Sequence, residues 1–151
     1  MKPLAQPGEE RIVKLRPVIA IIFCMAVNLG VAFADDMAEK SIVAAAQLWL
    51  GEIDSGNYAK SWKQASNYFQ GAVTEKNWTD ALNGTRKPLG KLLSRKIIKT
   101  QSATSLPGAP DGNYLVMQFD TSFANKKSAV ETVTFMREKS GNWRAAGYYI
   151  R

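Results

Sequence analysis

The chain has 151 residues, a hydrophobic fraction of 46% and a formal net charge of +7 at pH 7. It contains no histidine and one cysteine, Cys24, which excludes nucleophilic centres activated by histidine and metal sites built on histidine and cysteine. The positive charge is moderate and scattered along the sequence, and a balance of this kind mainly supports solubility.

The first 34 residues have the order of regions that is typical of a secretory signal peptide. Three basic residues between positions 11 and 16 precede an uncharged, largely apolar run that ends in Ala-Phe-Ala. We predict cleavage between Ala34 and Asp35, which leaves residues 35–151 as a single globular domain. The alternative is an uncleaved segment that anchors the domain in the inner membrane. Both interpretations export the domain, to the periplasm or beyond, because the positive end of the segment stays in the cytoplasm.

Three helices are predicted in the first half of this domain. The first covers residues 37–55, and its apolar stripe consists of Ile42, Ala46, Trp49 and Ile53. A second helix begins after the capping residue Asn57 and is broken by Gly71. A third begins after Thr74 and ends at Pro88. Its stripe consists of Trp78, Ala81, Leu82 and Thr85.

The second half changes to the two-residue period of β-strands. Four strands are predicted, over residues 92–104, 113–124, 129–138 and 143–150. In the second strand Leu115, Met117 and Phe119 point to one face, whereas Tyr114 and Gln118 point to the other. The connections are short and rich in turn-forming residues, at 106–112, 125–127 and 140–142. Such connections predict an antiparallel meander.

These elements predict an α+β domain in which three N-terminal helices pack on one face of a four-stranded antiparallel meander. Neither half alone buries both sides of its apolar residues, so the helices and strands are expected to share one core. By analogy, helices wrapped by a curved sheet suggest a cystatin-like or nuclear-transport-factor-like cone. This analogy concerns the fold and carries no function.

The domain resembles the exported bacterial family known as domain of unknown function 4019. In the strand region the resemblance is carried by residues 104–114, 118–119, 123–126, 131–133 and 143–150. In the helical region it is carried by residues 45–50, 61–62, 88–90 and 94–95. It extends roughly from Ala44 to Arg151. The resemblance implies an exported domain that has no established activity and no recognised catalytic residues.

Catalytic and metal chemistry find little support in the sequence. Asp120 and Glu131 lie on strands that a hairpin makes neighbours, so they form a candidate pair of carboxylates for acid–base catalysis. The alternative is an ordinary cross-strand pairing with Lys126, Arg137 or Arg144. No His, Cys or Asp-x-Asp cluster suggests a metal ligand set, and we predict neither a metal nor a cofactor.

Eight polar and aromatic residues within the family-like segments form the predicted ligand or partner site. They are Arg95, Tyr114, Gln118, Asn125, Lys126, Glu131, Arg144 and Tyr148. A second candidate surface is the densest basic stretch, which fits an acidic partner, anionic lipid headgroups or a solvated face. It comprises Arg86, Lys87, Lys91, Arg95, Lys96 and Lys99.

The sequence therefore favours a non-enzymatic binding or interaction module of the cell envelope. Its expected partner is an envelope protein or a small ligand, and contact with the membrane is expected only if the signal segment is not cleaved. Nucleic acid is disfavoured, because export separates the domain from it and the basic residues lack interleaved aromatics. The alternatives are a small-ligand enzyme that uses Asp120 or Glu131 as a base, and a structural homodimer that joins sheets face to face.

Overall fold

The computed structural model describes the backbone of residues 18–151 and the side chains of residues 35–151. The basic part of the predicted signal peptide lies outside these residues. Two compact units meet at Met37 and Ala38. The first is helical from Val18 onward, and the second, Ala38–Arg151, holds the core. None of the described helices has the length and hydropathy of a membrane span.

The described residues contain four α-helices before the sheet, so the predicted number of three is wrong. They are α1 (Val18–Asp54), α2 (Tyr58–Gln64), α3 (Asn67–Ala72) and α4 (Glu75–Thr85), and a 3-10 turn follows at Lys87–Leu89. The predicted second helix is interrupted at Ala65, whose backbone is extended. There the backbone N–H of Ser66 donates to the carbonyl of Ala145 at 2.8 Å, and the Ser66 side chain caps α3. A long-range hydrogen bond thus divides the predicted helix.

The four strands confirm the predicted antiparallel meander. They are β1 (Leu92–Ala103), β2 (Tyr114–Phe123), β3 (Lys126–Arg137) and β4 (Trp143–Ile150), paired in the order β1-β2-β3-β4. The β2–β3 turn is shorter than predicted, because Phe123 already pairs with Lys126 and leaves two residues between them. The third strand therefore begins three positions before the predicted residue 129.

The helices pack on the inner face of the sheet, as predicted for an α+β domain. The predicted stripe of α1 is buried, and Trp49 is at its centre. The Trp49 ring lies 6.1 Å from Trp78 of α4 and 6.3 Å from Phe135 of β3. Both indole N–H groups donate to Ser61, at 2.8 Å and 3.0 Å, so the buried polar atoms of the two tryptophans are satisfied. In α4 only Trp78 and Leu82 of the predicted stripe are buried.

Strand β1 is an edge strand that is interrupted twice. The register passes from Leu92 to Ser94 and from Ile97 to Lys99, and each interruption leaves one residue without a partner on β2. These extra residues are Leu93 and Ile98, and their side chains are 53% and 55% exposed. Bulges of this kind bend an edge strand and redirect the side chains at the bulge.

Candidate functional site

Four charged side chains meet between the helices and the sheet, and we call them the ion cluster: Asp54, Arg86, Arg95 and Glu131. The guanidinium of Arg95 donates to both oxygens of Asp54, at 2.7 Å and 3.0 Å. It also donates to both oxygens of Glu131, at 2.6 Å and 3.1 Å. Arg86 donates to Asp54 at 2.9 Å. Two cations therefore face two carboxylates, and the cluster is balanced in charge.

Two hydroxyl groups complete the hydrogen bonding of Glu131, which is fully buried. Thr121 donates to one carboxylate oxygen at 2.7 Å, and Tyr148 donates to the other at 2.5 Å. Burial raises the pKa of Tyr148, and the neighbouring Glu131 carboxylate raises it further. Each oxygen of Glu131 thus accepts from one Arg95 nitrogen and one hydroxyl.

Each arginine of the cluster has several partners. Burial alone would lower the pKa of Arg95, but its hydrogen bonds to Asp54 and Glu131 outweigh burial and raise the pKa. The Arg86 guanidinium lies over the ring of Phe123, with its central carbon 4.3 Å from the ring centroid. A second nitrogen of Arg86 donates to the carbonyl of residue 90 at 2.8 Å, and its Nε has no hydrogen-bond partner among the described residues. Through these contacts the two arginines connect the end of α1 to the sheet, which indicates a structural role.

The predicted site residues are distributed over several places. Arg95 and Glu131 belong to the ion cluster, and the Tyr148 hydroxyl donates to Glu131. Gln118 is half-buried on the outer face of the sheet. There the strand register aligns it with Lys99, Thr132 and Tyr149 in a row that is mostly polar. The outer face therefore offers no continuous apolar surface along this row.

Asn125 and Lys126 lie at the β2–β3 turn, which contacts the chain just before β1. The side-chain amide of Asn125 donates to the carbonyl of Pro88 at 2.9 Å. Gly90 has a φ of 76°, and a Cβ at this position would lie 3.0 Å from the Asn125 amide nitrogen. The close approach of these two segments therefore requires glycine at this position. Lys126 is half-buried beside them at the start of β3.

An open groove lies between α1 and β4, at the end of the sheet away from the β2–β3 turn. We call it the α1–β4 groove. Its volume is about 620 Å³, within the range of small-ligand sites. Its apolar lining comes from Leu48, Trp49, Phe135 and Trp143. Leu48 lies outside the buried stripe of α1 and is 77% exposed.

Polar groups surround the α1–β4 groove, and the charged ones already have partners. Arg144 pairs with Glu138 at 3.2 Å and donates to the carbonyl of Gln64 at 3.2 Å. Glu52 pairs with Lys60 at 2.6 Å. The side-chain amides of Gln64 and Asn142, which also line the groove, form no hydrogen bond with the described part of the chain. The groove thus presents apolar surface and free amides, without an unpaired charge in its lining.

A second groove of about 520 Å³ adjoins the first at Trp143, which lines both. Tyr114 lines this second groove, together with Asn113, Arg137 and residues 102–104. The hydroxyl of Tyr114 donates to the carbonyl of Pro110 in the long β1–β2 connection. Tyr114 and Trp143 therefore line the same groove.

The family model described as protein of unknown function, DUF4019, matches residues 45–148, which include the end of α1, all of α2 to α4, all of β1 to β3 and most of β4. The chain belongs to this family. The match confirms the resemblance that the sequence carries, and it includes both grooves and the whole ion cluster. No curated protein matches the chain. Among the described residues, no cluster of His, Cys, Asp and Glu side chains is arranged to hold a metal ion.

In this family member, sequence reasoning overlooked Asp54 and Leu48. Asp54 ends α1, and nothing near it in sequence indicates that two arginines converge on it. Leu48 carried a usable signal, because it is a large apolar residue outside the stripe formed by Ala46, Trp49 and their neighbours. An off-stripe leucine of this kind is expected to be exposed, and exposed apolar surface beside a groove indicates binding.

Proposed function

We propose that the chain is an exported binding module of the cell envelope that holds a small, uncharged, amphipathic ligand in the α1–β4 groove. The observation that carries this proposal is the combination of exposed Leu48 with the free amides of Gln64 and Asn142 around one open groove. Sites for small molecules are typically apolar concavities with a few well-placed polar groups.

The chemistry of the lining favours a neutral ligand. The carboxylates and arginines at the rim are already paired, and an ionic ligand would have to compete with Lys60 or Glu138. An amide offers both a donor and an acceptor, so Gln64 and Asn142 suit hydroxyl or amide groups of a ligand. Trp143 and Leu48 supply apolar contact in the same groove.

Export to the periplasm, or secretion, is part of this proposal. It is supported by the order of basic, apolar and small residues before Asp35. An uncleaved segment that anchors the domain in the inner membrane is the alternative. Both versions leave residues 38–151, which include the groove, on the exported side.

A non-enzymatic role is supported by the positions of the two candidate carboxylates. Asp120 is exposed on the outer face of β2, whereas Glu131 is buried on the inner face of β3. They therefore do not form an acid–base pair, and the oxygens of Glu131 are occupied by Arg95, Thr121 and Tyr148. A substrate would have to displace these contacts to reach Glu131.

A face-to-face homodimer receives less support than ligand binding. Its sheets would have to join through the outer face, where Lys99, Gln118 and Thr132 stand in one row. Burying such a row requires hydrogen-bond partners for each polar group.

We also propose that the helices sit within a curved sheet in the manner of a cystatin-like or nuclear-transport-factor-like cone.

Native mass spectrometry of the protein, purified gently from its own envelope fraction, tests this proposal. We expect a chain that begins at Asp35 and carries a mass excess of a few hundred daltons. Leu48→Glu places a charge in the groove at an exposed position and is expected to abolish the excess. Leu93→Glu changes a second exposed leucine away from the groove and is expected to retain it. Wild-type protein without the excess, or Leu48→Glu protein that keeps it, overturns the proposal.

A further inference from the structure

A group of lysines collects at the end of the sheet opposite the α1–β4 groove, and we call it the basic patch. It consists of Lys87, Lys91, Lys96, Lys99, Lys126 and Lys127. All are exposed except the half-buried Lys126, and none forms an ion pair with a described residue. Residues 81–110 and 121–130 contain six and two basic residues and no acidic residue. The acidic residue that follows the second stretch, Glu131, is paired with Arg95 in the ion cluster.

The fold joins two basic segments that are distant in sequence. The backbone N–H of Ala124 donates to the carbonyl of Lys91 at 2.8 Å, and that of Asn125 donates to the carbonyl of Leu89 at 2.9 Å. These bonds hold the β2–β3 turn, with Lys126 beside it, against the chain that leads into β1. The patch therefore forms only in the folded domain, because the sequence alone places the lysines from Lys87 to Lys99 close together and leaves Lys126 distant from them.

The two arginines of the predicted basic stretch are not part of this surface. Arg86 and Arg95 are turned inward and paired in the ion cluster. On the outside, Asp120 is opposite Lys96 in the β1–β2 register, and the two form no ion pair. Five exposed lysines and the half-buried Lys126 thus lie at this end of the domain without an ion-pair partner among the described residues, which gives it a positive field.

The bulges of β1 place apolar side chains inside the basic patch. Leu93 lies between Lys91 and Lys96, and Ile98 lies between Lys96 and Lys99; both are more than half exposed. Lysines and bulges protect an edge strand from pairing with another chain. Edge protection does not account for exposed leucine and isoleucine, since apolar residues at an edge promote association. An additional role is needed for these two residues.

We propose that the basic patch, with Leu93 and Ile98, attaches the domain to a membrane surface rich in anionic phospholipid. Lysines attract anionic headgroups, and exposed apolar side chains enter the boundary between headgroups and acyl chains. The apolar pair favours a lipid surface over an acidic protein or a nucleic acid, because neither side chain can contribute to binding a polyanion by charge or hydrogen bonding. Export brings such a surface within reach, so the setting of this inference rests on the proposed localisation.

Co-sedimentation with vesicles tests the inference. The probes are vesicles of one part phosphatidylglycerol to three parts phosphatidylcholine, and vesicles of phosphatidylcholine alone. Each lysine near such a surface is expected to change partitioning about fivefold, so Lys91→Ala with Lys96→Ala is expected to weaken binding about 25-fold. The control, Lys63→Ala with Lys139→Ala, removes the same charge elsewhere and is expected to have little effect. Added salt is expected to weaken wild-type binding.

Leu93→Ser separates lipid from other anionic partners. We expect it to weaken binding to anionic vesicles several-fold at constant net charge, and to leave the thermal midpoint almost unchanged because Leu93 is exposed. Equal losses for the two lysine pairs, equal binding to both kinds of vesicle, or full binding by Leu93→Ser would overturn the inference. Leu48→Glu is expected to bind vesicles normally, so failure of the groove proposal and failure of this one are distinguishable.

Discussion

Replacing Glu131 by glutamine tests whether the ion cluster holds the domain together. The change keeps the size of the side chain and removes one of two buried negative charges, so Arg86 and Arg95 then face Asp54 alone. Each oxygen of Glu131 accepts from Arg95, and the glutamine –NH2 must therefore face one Arg95 N–H as a second donor. Removing one partner of a buried ion pair costs about 3–5 kcal/mol, which is a large share of the roughly 5–15 kcal/mol that stabilises a domain.

Urea unfolding followed by circular dichroism measures this loss as the change in the free energy of unfolding. The control is Glu138→Gln, which alters the partly exposed pair with Arg144 and is expected to cost less than about 1 kcal/mol. Adding Arg95→Met to Glu131→Gln restores the charge balance and should recover part of the lost stability. A Glu131→Gln protein within about 1 kcal/mol of wild type would refute the argument that the cluster is structural.

Other buried polar contacts give further expectations. Burial and the Glu131 carboxylate raise the pKa of Tyr148. The protonated Tyr148 hydroxyl therefore contributes its full share to the free energy of unfolding below about pH 10. Above that pH this share falls by up to about 1.4 kcal/mol per pH unit. Tyr148→Phe should then lose less stability than wild type between about pH 8 and pH 11 in urea titrations, and an equal loss would contradict this. Ser61→Ala leaves the buried Trp78 indole N–H without its acceptor and should cost about 1–3 kcal/mol, whereas no measurable change in the urea midpoint would show that the indole finds another partner. Ser66→Ala removes the cap of α3 and should lower the free energy of unfolding by about 1 kcal/mol, measured in the same way.

The strand half of the fold could be predicted because apolar residues alternate with polar ones in its central strands and the turns are short. Leu115, Met117 and Phe119 face the core, and the short turns force neighbouring strands to run antiparallel. The helical half was less predictable for a physical reason. The break between α2 and α3 depends on the hydrogen bond from Ser66 to Ala145, and a contact between residues so distant leaves no local pattern. Local periodicity identifies a helix and misses an interruption that tertiary structure imposes.

The candidate sites, too, could be predicted only where neighbouring residues in the sequence form them. Arg95 could be selected from the sequence as a polar residue within a family-like segment, but its partners Asp54 and Glu131 are 41 and 36 positions away. Its burial, and hence its structural role, depends on that convergence. The basic patch could be predicted only in part. Lys87 and Lys91 are close in sequence, whereas Lys126 lies beside them only because of the turn contacts. Charge patterns along a chain reveal a surface only where one segment supplies it.

The positions of the two proposed surfaces explain why a structural ion cluster would lie between them. The basic patch occupies the start of β1 and the β2–β3 turn, whereas the α1–β4 groove opens where β3 ends and β4 begins. A domain that rests on a membrane through the patch therefore keeps the groove directed away from the lipid. The ion cluster connects α1, β1 and β3 through Asp54, Arg95 and Glu131. The hydroxyl of Tyr148 links β4 to Glu131, so α1, β3 and β4, which border the groove, and β1, which carries part of the patch, are all tied to the cluster. Fixing them to one another would keep the groove open and its amides in place while the opposite end is attached.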